Sequence, residues 1–468
     1  MTEEQLDIVI VGATGSLARL KLLPALYDLQ AQGLLPQQGS IVGLARSPFS
    51  DEAFRGLARE AAQKGARLPW DGATWSGLAE RLNFEQLDEE GFERLRRRLH
   101  QPQRLVYLAT PPGAFGATAR SLAEEGLIKG TRLLIEKPFG RDLASACALD
   151  AELHDVLDES QIFRIDHYLG KETVQNILVF RFGNAVFERV WNRDAIDHIE
   201  ITMAESAGVD GRGAFYEEVG ALRDVVQNHL LQVLSLLTME PPASFDAEAI
   251  RDEKVKLLRA VQPFDPANVV RGQYTRGRID GRTVPGYRDE ENVPDDSDVE
   301  TFTAIKVEIE NWRWAGVPIY LRTGKRLPYR STEIEIAFKT VPRSYFEATP
   351  VEHVSPNTLT LCIQPDEEIT FSFLAKVPGQ EINVQQVSMN FSYDSAFSAE
   401  PAEAYERLIR DAIEGDRTLF VRSDSVERAW QIVQPAVDNP PTLSFYEAGS
   451  WGPFEADELI SPLTWHLR

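Results

Sequence analysis

The first third of the chain alternates short apolar runs with segments of helical length and pattern. The clearest helix is predicted over residues 17–32, and the apolar runs cover residues 6–11, 40–45, 105–109 and 131–135. Such alternation is typical of βαβ units, which place parallel strands in one sheet with helices on its faces. We therefore expect an α/β domain over residues 1–165.

The pattern changes after about residue 165. A long helix is predicted over residues 218–239, and strands joined by short connections follow it at 301–309, 333–338, 358–363 and 368–373. Consecutive extended strands favour a mainly antiparallel sheet, so residues 166–468 are predicted to form an α+β domain. Residues 276–298 are rich in glycine, proline and charge, which predicts a surface loop with solvated acidic side chains.

Charge and cysteine content exclude several classes of function. The 468 residues include 72 acidic and 49 basic side chains, a formal net charge of −23, so non-specific binding to nucleic acid or to an anionic membrane is not expected. Cys147 and Cys362 lack the spacing of a metal site or disulfide framework. No apolar run reaches the roughly 18 residues that span a bilayer, and we expect a cytoplasmic protein without a metal.

A glycine turn follows the first apolar run directly. The segment Gly12-Ala-Thr-Gly-Ser-Leu-Ala18 joins a predicted strand to a predicted helix. Glycines there let a dinucleotide phosphate approach the backbone, while the helix N-terminus supplies N–H groups and partial positive charge. The alternative is a plain strand-to-helix connection. We expect coenzyme contacts from Gly12, Thr14, Gly15, Ser16 and Leu17.

Arg46 and Ser47 end the second strand, where an acidic residue would hold the ribose of NAD. A guanidinium can bind a 2′-phosphate through charge-assisted hydrogen bonds, which favours NADP. The alternative is a solvated surface arginine. NADP is therefore the predicted coenzyme, with NAD possible as a second one.

The segment Arg164-Ile-Asp-His-Tyr-Leu-Gly-Lys-Glu172 concentrates polar chemistry. Apolar spacing after it predicts a helix beginning near Leu169, with His167, Tyr168 and Lys171 around its first turn. A phosphate group would find cationic partners and helix N–H groups there. Capping and surface ion pairing are the alternative reading.

His229 lies on an apolar stripe of the predicted 218–239 helix, so its imidazole is expected to point inward. A histidine in that position is commonly a hydrogen-bonded core residue. It can instead act as a general base near neutral pH if a carboxylate supports it, and Asp166 is the candidate.

The chain resembles the glucose-6-phosphate dehydrogenase family over nearly its whole length. The most specific segment is RIDHYLGKE at 164–172. Other matching segments are EKPFGRDL at 136–143, FGNAVFERVWNRD at 182–194, RDVVQNHLLQ at 223–232, VVRGQY at 269–274, GVPIYLRTGKRL at 316–327, YERLIRD at 405–411 and GSWGP at 449–453.

The resemblance implies a Rossmann-like NADP-binding domain and a substrate domain whose large, mainly antiparallel sheet makes a homodimer or homotetramer. It implies oxidation of glucose 6-phosphate to the lactone, with His229 as base, Asp166 as its partner and hydride transfer to NADP. Further coenzyme contacts are implied at Lys21, Arg46, Lys137 and Pro138. Sugar and phosphate ligands are implied at His167, Tyr168, Lys171, Lys137, Glu205, Asp224, Lys325 and Arg330.

Three positions depart from the family pattern. Ser16 replaces the usual aspartate of the glycine turn, where serine can still cap a helix. Ser331 and Glu335 stand where vertebrate-type members have basic residues for a second, structural NADP, so that site is not expected. Two alternatives stay open: a dehydrogenase of another acidic hexose, such as a sulfosugar, and a non-catalytic NADP-binding sensor.

Overall fold

A computed structural model describes residues 5–343, 356–379, 383–397 and 402–466. The chain forms two compact units. The first comprises the described parts of Met1–Glu172, Pro242–Glu253 and Pro401–Glu427, and the second those of Thr173–Pro241, Lys254–Glu400 and Arg428–Arg468. Within the described ranges, no helix is long and apolar enough to cross a membrane.

The strands follow one another along the chain as β1 (Leu6–Val11), β2 (Ile41–Ala45), β3 (Leu82–Gln86), β4 (Gln103–Leu108), β5 (Thr131–Glu136), β6 (Ile162–Ile165), β7 (Ile196–Ala204), β8 (Val269–Thr275), β9 (Gly277–Ile279), β10 (Arg282–Val284), β11 (Phe302–Val307), β12 (Ile319–Gly324), β13 (Ser331–Phe338), β14 (Thr358–Gln364), β15 (Glu368–Lys376), β16 (Val384–Ser392), β17 (Phe420–Val421) and β18 (Leu443–Glu447).

The α-helices are α1 (Leu23–Ala31), α2 (Asp51–Gly65), α3 (Gly72–Ala79), α4 (Gly91–Arg98), α5 (Phe115–Glu124), α6 (Leu143–His154), α7 (Glu172–Phe182), α8 (Ala185–Glu188), α9 (Gly213–Ala221), α10 (Leu231–Thr238), α11 (Ala247–Ala260), α12 (Tyr393–Ala396), α13 (Ala404–Glu414), α14 (Ser423–Asp438) and α15 (Phe454–Ile460). In the described ranges, π-helices cover Ala18–Leu22 and Leu222–Leu230, and 3-10 turns cover Pro112–Ala114, Glu159–Gln161, Pro266–Asn268 and Tyr287–Asp289.

The first unit is built on a seven-stranded sheet of order β17-β6-β5-β4-β1-β2-β3, parallel except for the antiparallel β17. All six residues of β1 and all five of β2 are buried, as expected for strands covered on both faces. The predicted parallel α/β fold is confirmed. The apolar runs did not predict β3, whose sequence LNFEQ alternates between buried and half-buried side chains.

Two distant segments complete this unit. Strand β17 pairs with β6, placing Phe420 opposite Ile165. Glu159 accepts a hydrogen bond from the Ser423 backbone N–H at 3.1 Å, and one of its carboxylate oxygens lies 3.5 Å from the Arg251 guanidinium. The first unit is therefore assembled from parts that are not contiguous in sequence.

The second unit is built on a nine-stranded sheet of order β16-β15-β14-β13-β7-β12-β11-β8-β18. All neighbouring pairs are antiparallel except β7–β12 and β8–β18, which confirms the predicted mainly antiparallel sheet. The buried indoles of Trp191 and Trp314 donate to the carbonyls of Leu237 at 2.8 Å and Thr238 at 2.7 Å. These bonds anchor the C-terminal end of α10.

The predicted continuous helix over residues 218–239 is wrong in one respect. Gly220 has φ +61° and ψ 178°, which interrupts the helix before Ala221. The chain then continues as the π-helix Leu222–Leu230 and as α10. The apolar periodicity spans the break because Val219 before it and Leu222 and Val226 after it are all buried, so the break leaves little trace in the pattern.

The predicted surface loop at 276–298 also contains ordered structure. Strands β9 and β10 form a hairpin, and the 3-10 turn that follows buries Tyr287 completely. The Tyr287 hydroxyl donates to Glu217 at 2.6 Å. One aromatic anchor among many charged residues is a weak signal in sequence.

Candidate active site

The glycine turn after β1 depends on close backbone contact. Gly12 has φ +91°, and a Cβ on it would lie 2.3 Å from the carbonyl oxygen of Ala109. The Gly15 N–H donates to the Gly12 carbonyl at 2.9 Å. Only glycine fits at position 12, because any side chain would collide with the end of β4. The turn leads into a helix, as predicted, which begins at Ser16 and continues as the π-helix Ala18–Leu22.

Thr110 lies beside this turn and was not identified from the sequence. Its hydroxyl oxygen is buried without a hydrogen-bond partner among the described residues, and its methyl carbon is 3.3 Å from where a Gly12 Cβ would be. A buried hydroxyl of this kind needs a polar partner, which a bound ligand or a water can provide. Together with the N–H groups at the start of the helix that follows the glycine turn, it fits the pyrophosphate of a dinucleotide. Its position at the end of the strand beside β1 was the available signal.

Three of the other polar side chains predicted to contact the coenzyme lie on the surface of the first unit. Arg46 and Ser47 follow β2 and are exposed. Lys21, in the π-helix, forms an ion pair with Glu403 at 2.8 Å, with both side chains partly solvated. Lys21 is therefore engaged within this unit.

Glu136, the last residue of β5, immediately precedes Lys137 and Pro138. Its carboxylate accepts a hydrogen bond from the Tyr107 hydroxyl at 2.5 Å and another from Tyr405. Burial of the carboxyl raises the pKa of Glu136 from 4.5 to about 7, although the two tyrosines and Lys137 act in the opposite direction. The Lys137–Pro138 segment thus begins at a carboxylate tied to two elements of the first unit.

The segment from Asp166 to Lys171 forms successive turns rather than the start of a helix. The backbone N–H groups of Leu169, Gly170 and Lys171 donate to the carbonyls three residues earlier, and α7 begins at Glu172. The predicted helix start near Leu169 is therefore three residues too early. A Cβ on Gly170 would lie 2.8 Å from the carbonyl oxygen of Ala404. Close packing against α13 therefore holds the turns in place.

These turns bring His167, Tyr168 and Lys171 together. The His167 and Tyr168 rings have centroids 5.1 Å apart, and the Lys171 ammonium lies 4.6 Å from the centre of the Tyr168 ring. The Tyr168 N–H donates to the buried carboxylate of Asp166 at 3.0 Å. An imidazole, a phenol and an ammonium group within one short segment can bind an anion.

Tyr405 adds an aromatic face to this cluster. Its ring stacks on His167 with a centroid distance of 6.2 Å and an interplanar angle of 10°. Tyr405 lies in the segment YERLIRD, which resembles the family, but the resemblance implied no role for it. The side chain was missed because a helix pattern does not indicate which distant element its residues meet.

In the second unit, Tyr216 brings together three of the predicted sugar ligands. Lys325 forms an ion pair with Glu205, and its ammonium lies 5.1 Å from the centre of the Tyr216 ring. Burial raises the pKa of Tyr216 well above its usual range, and the negative charges of Asp224, Glu300 and Glu205 add to this rise. Tyr216 was not singled out from the sequence, where it reads as an ordinary core residue.

Backbone hydrogen bonds fix the position of Lys325. The Glu205 N–H donates to Gly324 at 2.9 Å, the Leu327 N–H donates to Glu205 at 3.0 Å, and the Lys325 N–H donates to Thr301 at 2.9 Å. The turn after β12 is thereby joined to the end of β7. Lys325 and Glu205, 120 residues apart in sequence, meet because β7 and β12 are parallel neighbours.

His229 lies on the π-helix Leu222–Leu230 and is 2% exposed. The stripe predicted to share its face, namely Leu222, Val226, Val233 and Leu236, is buried as well. The inward position expected for the imidazole is confirmed. A π-helix is rare and often occurs at functional sites.

Arg330 and the two residues of the vertebrate-type coenzyme site lie near or on β13. Arg330 is exposed and donates to the Gln364 side chain at 3.0 Å. Ser331 and Glu335 are buried on β13, where the Glu335 carboxylate accepts a hydrogen bond from Thr360. Burial raises the pKa of Glu335.

Comparison with known proteins covers almost the whole chain. Residues 9–176 match the family model of the glucose-6-phosphate dehydrogenase NAD-binding domain, and residues 178–466 match that of the C-terminal domain. A glucose-6-phosphate 1-dehydrogenase of Aggregatibacter actinomycetemcomitans is 46% identical over 98% of this chain and 97% of its own length. Glucose-6-phosphate 1-dehydrogenase 2 of Mycobacterium bovis is 44% identical over 97% of this chain and 92% of its own length.

Solved structures give the same result. A glucose-6-phosphate dehydrogenase in complex with glucose 6-phosphate has a TM-score of 0.91 and 37% identity over 99% of both chains. The Mycobacterium avium glucose-6-phosphate 1-dehydrogenase has a TM-score of 0.86 and 39% identity with the same coverage. The chain belongs to the glucose-6-phosphate dehydrogenase family.

Proposed function

We propose that this protein is a glucose-6-phosphate 1-dehydrogenase that oxidises glucose 6-phosphate to 6-phosphogluconolactone and reduces NADP. The observation that carries the proposal is similarity, from end to end, to curated enzymes of that name at 42–46% identity. The anion-binding turns of the first unit and the Lys325–Glu205 pair of the second unit support it, because a phosphorylated sugar needs both kinds of group.

NADP is the proposed coenzyme. Its pyrophosphate would be held by the turn from Gly12 to Leu17, with Thr110 as an additional hydroxyl, and its 2′-phosphate by Arg46 and Ser47. The exposed guanidinium of Arg46 supports this choice, since it can form a bidentate contact. Lys21, Lys137 and Pro138 are the remaining proposed contacts. The bound coenzyme supplies the hydride acceptor.

Substrate recognition is proposed to divide between phosphate and sugar. His167, Tyr168 and Lys171, with Arg330, would bind the phosphate, and the proximity of the first three supports this role. Hydroxyl groups of the sugar would meet carboxylates and ammonium groups, for which Lys137, Glu205, Asp224 and Lys325 are proposed. On a chain with net charge −23, such local groups must supply the attraction for a phosphate.

The reaction needs a base at the anomeric hydroxyl, and His229 is the proposed residue. Its imidazole nitrogen would accept the proton as the hydride leaves C1. Asp166 is the carboxylate proposed to support the imidazolium. Burial of His229 favours this role, because an imidazole shielded from water keeps one orientation.

The domain roles and assembly are further parts of the proposal. Residues 1–165 would bind the coenzyme, and residues 166–468 would bind the sugar and form a homodimer or homotetramer. Exposed apolar side chains on β16, the outermost strand of the large sheet, support self-association; they are Val387, Met389 and Phe391.

Initial rates with a panel of sugars and both coenzymes test the function. We expect glucose 6-phosphate with NADP to give the highest kcat/KM, well above other hexose 6-phosphates, sulfosugars and free glucose. Comparable kcat/KM on free glucose would contradict the phosphate-binding role. Higher kcat/KM on a sulfosugar would assign the chain to a different acidic hexose.

A further inference from the structure

The helix that carries Asp224 and His229 begins at an unusual junction. Gly220 has a backbone conformation that is essentially restricted to glycine. A Cβ at this residue would lie 2.4 Å from a carboxylate oxygen of Glu300. The chain therefore bends here with Glu300 directly against it.

Glu300 satisfies the first two N–H groups beyond the bend. Its backbone carbonyl accepts from the Ala221 N–H at 3.0 Å, and its Oε1 accepts from the Leu222 N–H at 3.1 Å. Those N–H groups have no partner within the helix, and a carboxylate at a helix N-terminus is favoured by the helix dipole. Glu300, distant in sequence, serves as the cap of the π-helix.

The cap is itself held by a buried ion pair. Arg271 donates to the other carboxylate oxygen, Oε2, through Nε at 3.2 Å and through a terminal nitrogen at 3.1 Å. The same guanidinium donates to the carbonyls of Asp298 at 2.8 Å and Pro441 at 3.0 Å. Glu300 is 4% exposed and Arg271 is 9% exposed, so water does not compete strongly for these groups.

We propose that Arg271 and Glu300 are positioning residues that set the start of the π-helix and so place Asp224 and His229 for catalysis. This inference rests on the proposed function. The two helix residues follow the capped N–H groups within one continuous helix, whose far end is anchored through the carbonyls of Leu237 and Thr238. Any change at the cap therefore displaces the intervening segment.

Glu300→Gln tests the proposal with the least change in shape. The carboxamide oxygen can still accept from Leu222, but the charge that holds Arg271 is lost. We expect kcat with glucose 6-phosphate to fall about tenfold, since small misplacement of reacting groups is costly. KM for the sugar should rise, the pH profile of kcat/KM should shift, and KM for NADP should stay unchanged.

Amide hydrogen exchange provides a measurement that does not depend on activity. Exchange in peptides covering residues 216–230 should be faster in Glu300→Gln than in the unsubstituted protein. The control is Glu188→Gln, which weakens two other partly buried ion pairs of the second unit, with Arg181 at 3.2 Å and with Arg313 at 2.9 Å. This control should change neither exchange in 216–230 nor the pH profile. If Glu300→Gln does not fold, Arg271→Lys replaces it, with a smaller effect in the same direction expected.

Each outcome is decisive. If Glu300→Gln lowers thermal stability alone and leaves kcat per folded molecule, KM and the pH profile unchanged, the positioning role is refuted. If the unsubstituted protein does not oxidise glucose 6-phosphate, the proposed function fails. Amide exchange in residues 216–230 would still test the cap in that case. If it is the same in Glu300→Gln as in the unsubstituted protein, the capping role of Glu300 is refuted.

Discussion

Replacement of Glu136 by glutamine should change how the stability of the protein depends on pH. The folded-state pKa of Glu136 is about 7, because burial disfavours the carboxylate, whereas its ordinary value is 4.5. Between these two values the unfolded chain releases a proton that the folded protein keeps. The folded state then binds more protons, so the free energy of unfolding falls as pH rises, and the loss is complete only when the folded protein has also released the proton, at about pH 8.

The magnitude follows from the two pKa values. A rise from 4.5 to about 7 corresponds to at most about 3 kcal/mol. Part of the stability is already lost below pH 5.5, because the unfolded chain ionises above pH 4.5. Glu136 is also half-buried rather than fully buried, so we expect the free energy of unfolding to fall by about 1–2 kcal/mol between pH 5.5 and pH 8. Glu136→Gln cannot ionise and should lack this component.

Urea unfolding of both proteins at the two pH values measures the effect. As pH rises, the free energy of unfolding should fall more in the unsubstituted protein than in Glu136→Gln, so the variant becomes relatively more stable. Glu124→Gln, at an exposed position of α5, is the control and should run parallel to the unsubstituted protein. Parallel behaviour of Glu136→Gln as well would refute the assigned protonation state of Glu136.

Three further predictions concern the proposed site. His229→Asn should lower kcat by about 10² or more with little change in sugar binding, because it removes the base; near-normal kcat would transfer that role to another group. Arg46→Ala should raise KM for NADP far more than KM for NAD, and equal losses would place Arg46 away from the 2′-phosphate. Lys171→Ala should raise KM for glucose 6-phosphate about tenfold or more, through loss of a contact worth about 1.5–3 kcal/mol. Residual activity on free glucose should change much less, and a parallel loss there would contradict a phosphate-binding role.

Local patterns predicted the main elements well. The buried runs that became β1, β2, β4 and β5, and the later antiparallel strands, have periodicities that do not depend on distant partners. The two-residue strand β17 could not be predicted, because it exists only through its pairing with β6. The break at Gly220 was also missed, because Glu300, which packs against it, is distant in sequence.

The candidate site shows the same division. His229 could be placed on a buried face from the spacing of its apolar neighbours, and the cluster of His167, Tyr168 and Lys171 follows from their closeness in sequence. Tyr405 and Tyr216 were missed because their significance arises from tertiary contacts alone. Thr110 was missed although it follows a predicted strand, because nothing in the sequence shows that its hydroxyl is buried. Patterns within one element indicate which way a side chain faces, but not what it meets.

The discontinuity of the first unit has a consequence for synthesis of the protein. Translation proceeds from the N-terminus, so strands β7 to β16 leave the ribosome before β17 can pair with β6. During that interval the edge of β6 presents unpaired backbone groups to other chains. Glu159 is likewise synthesised before its partners Arg251 and Ser423. A fragment ending at residue 172 keeps this edge open permanently, so aggregation of such a fragment would reflect an unfinished sheet rather than a defective coenzyme turn.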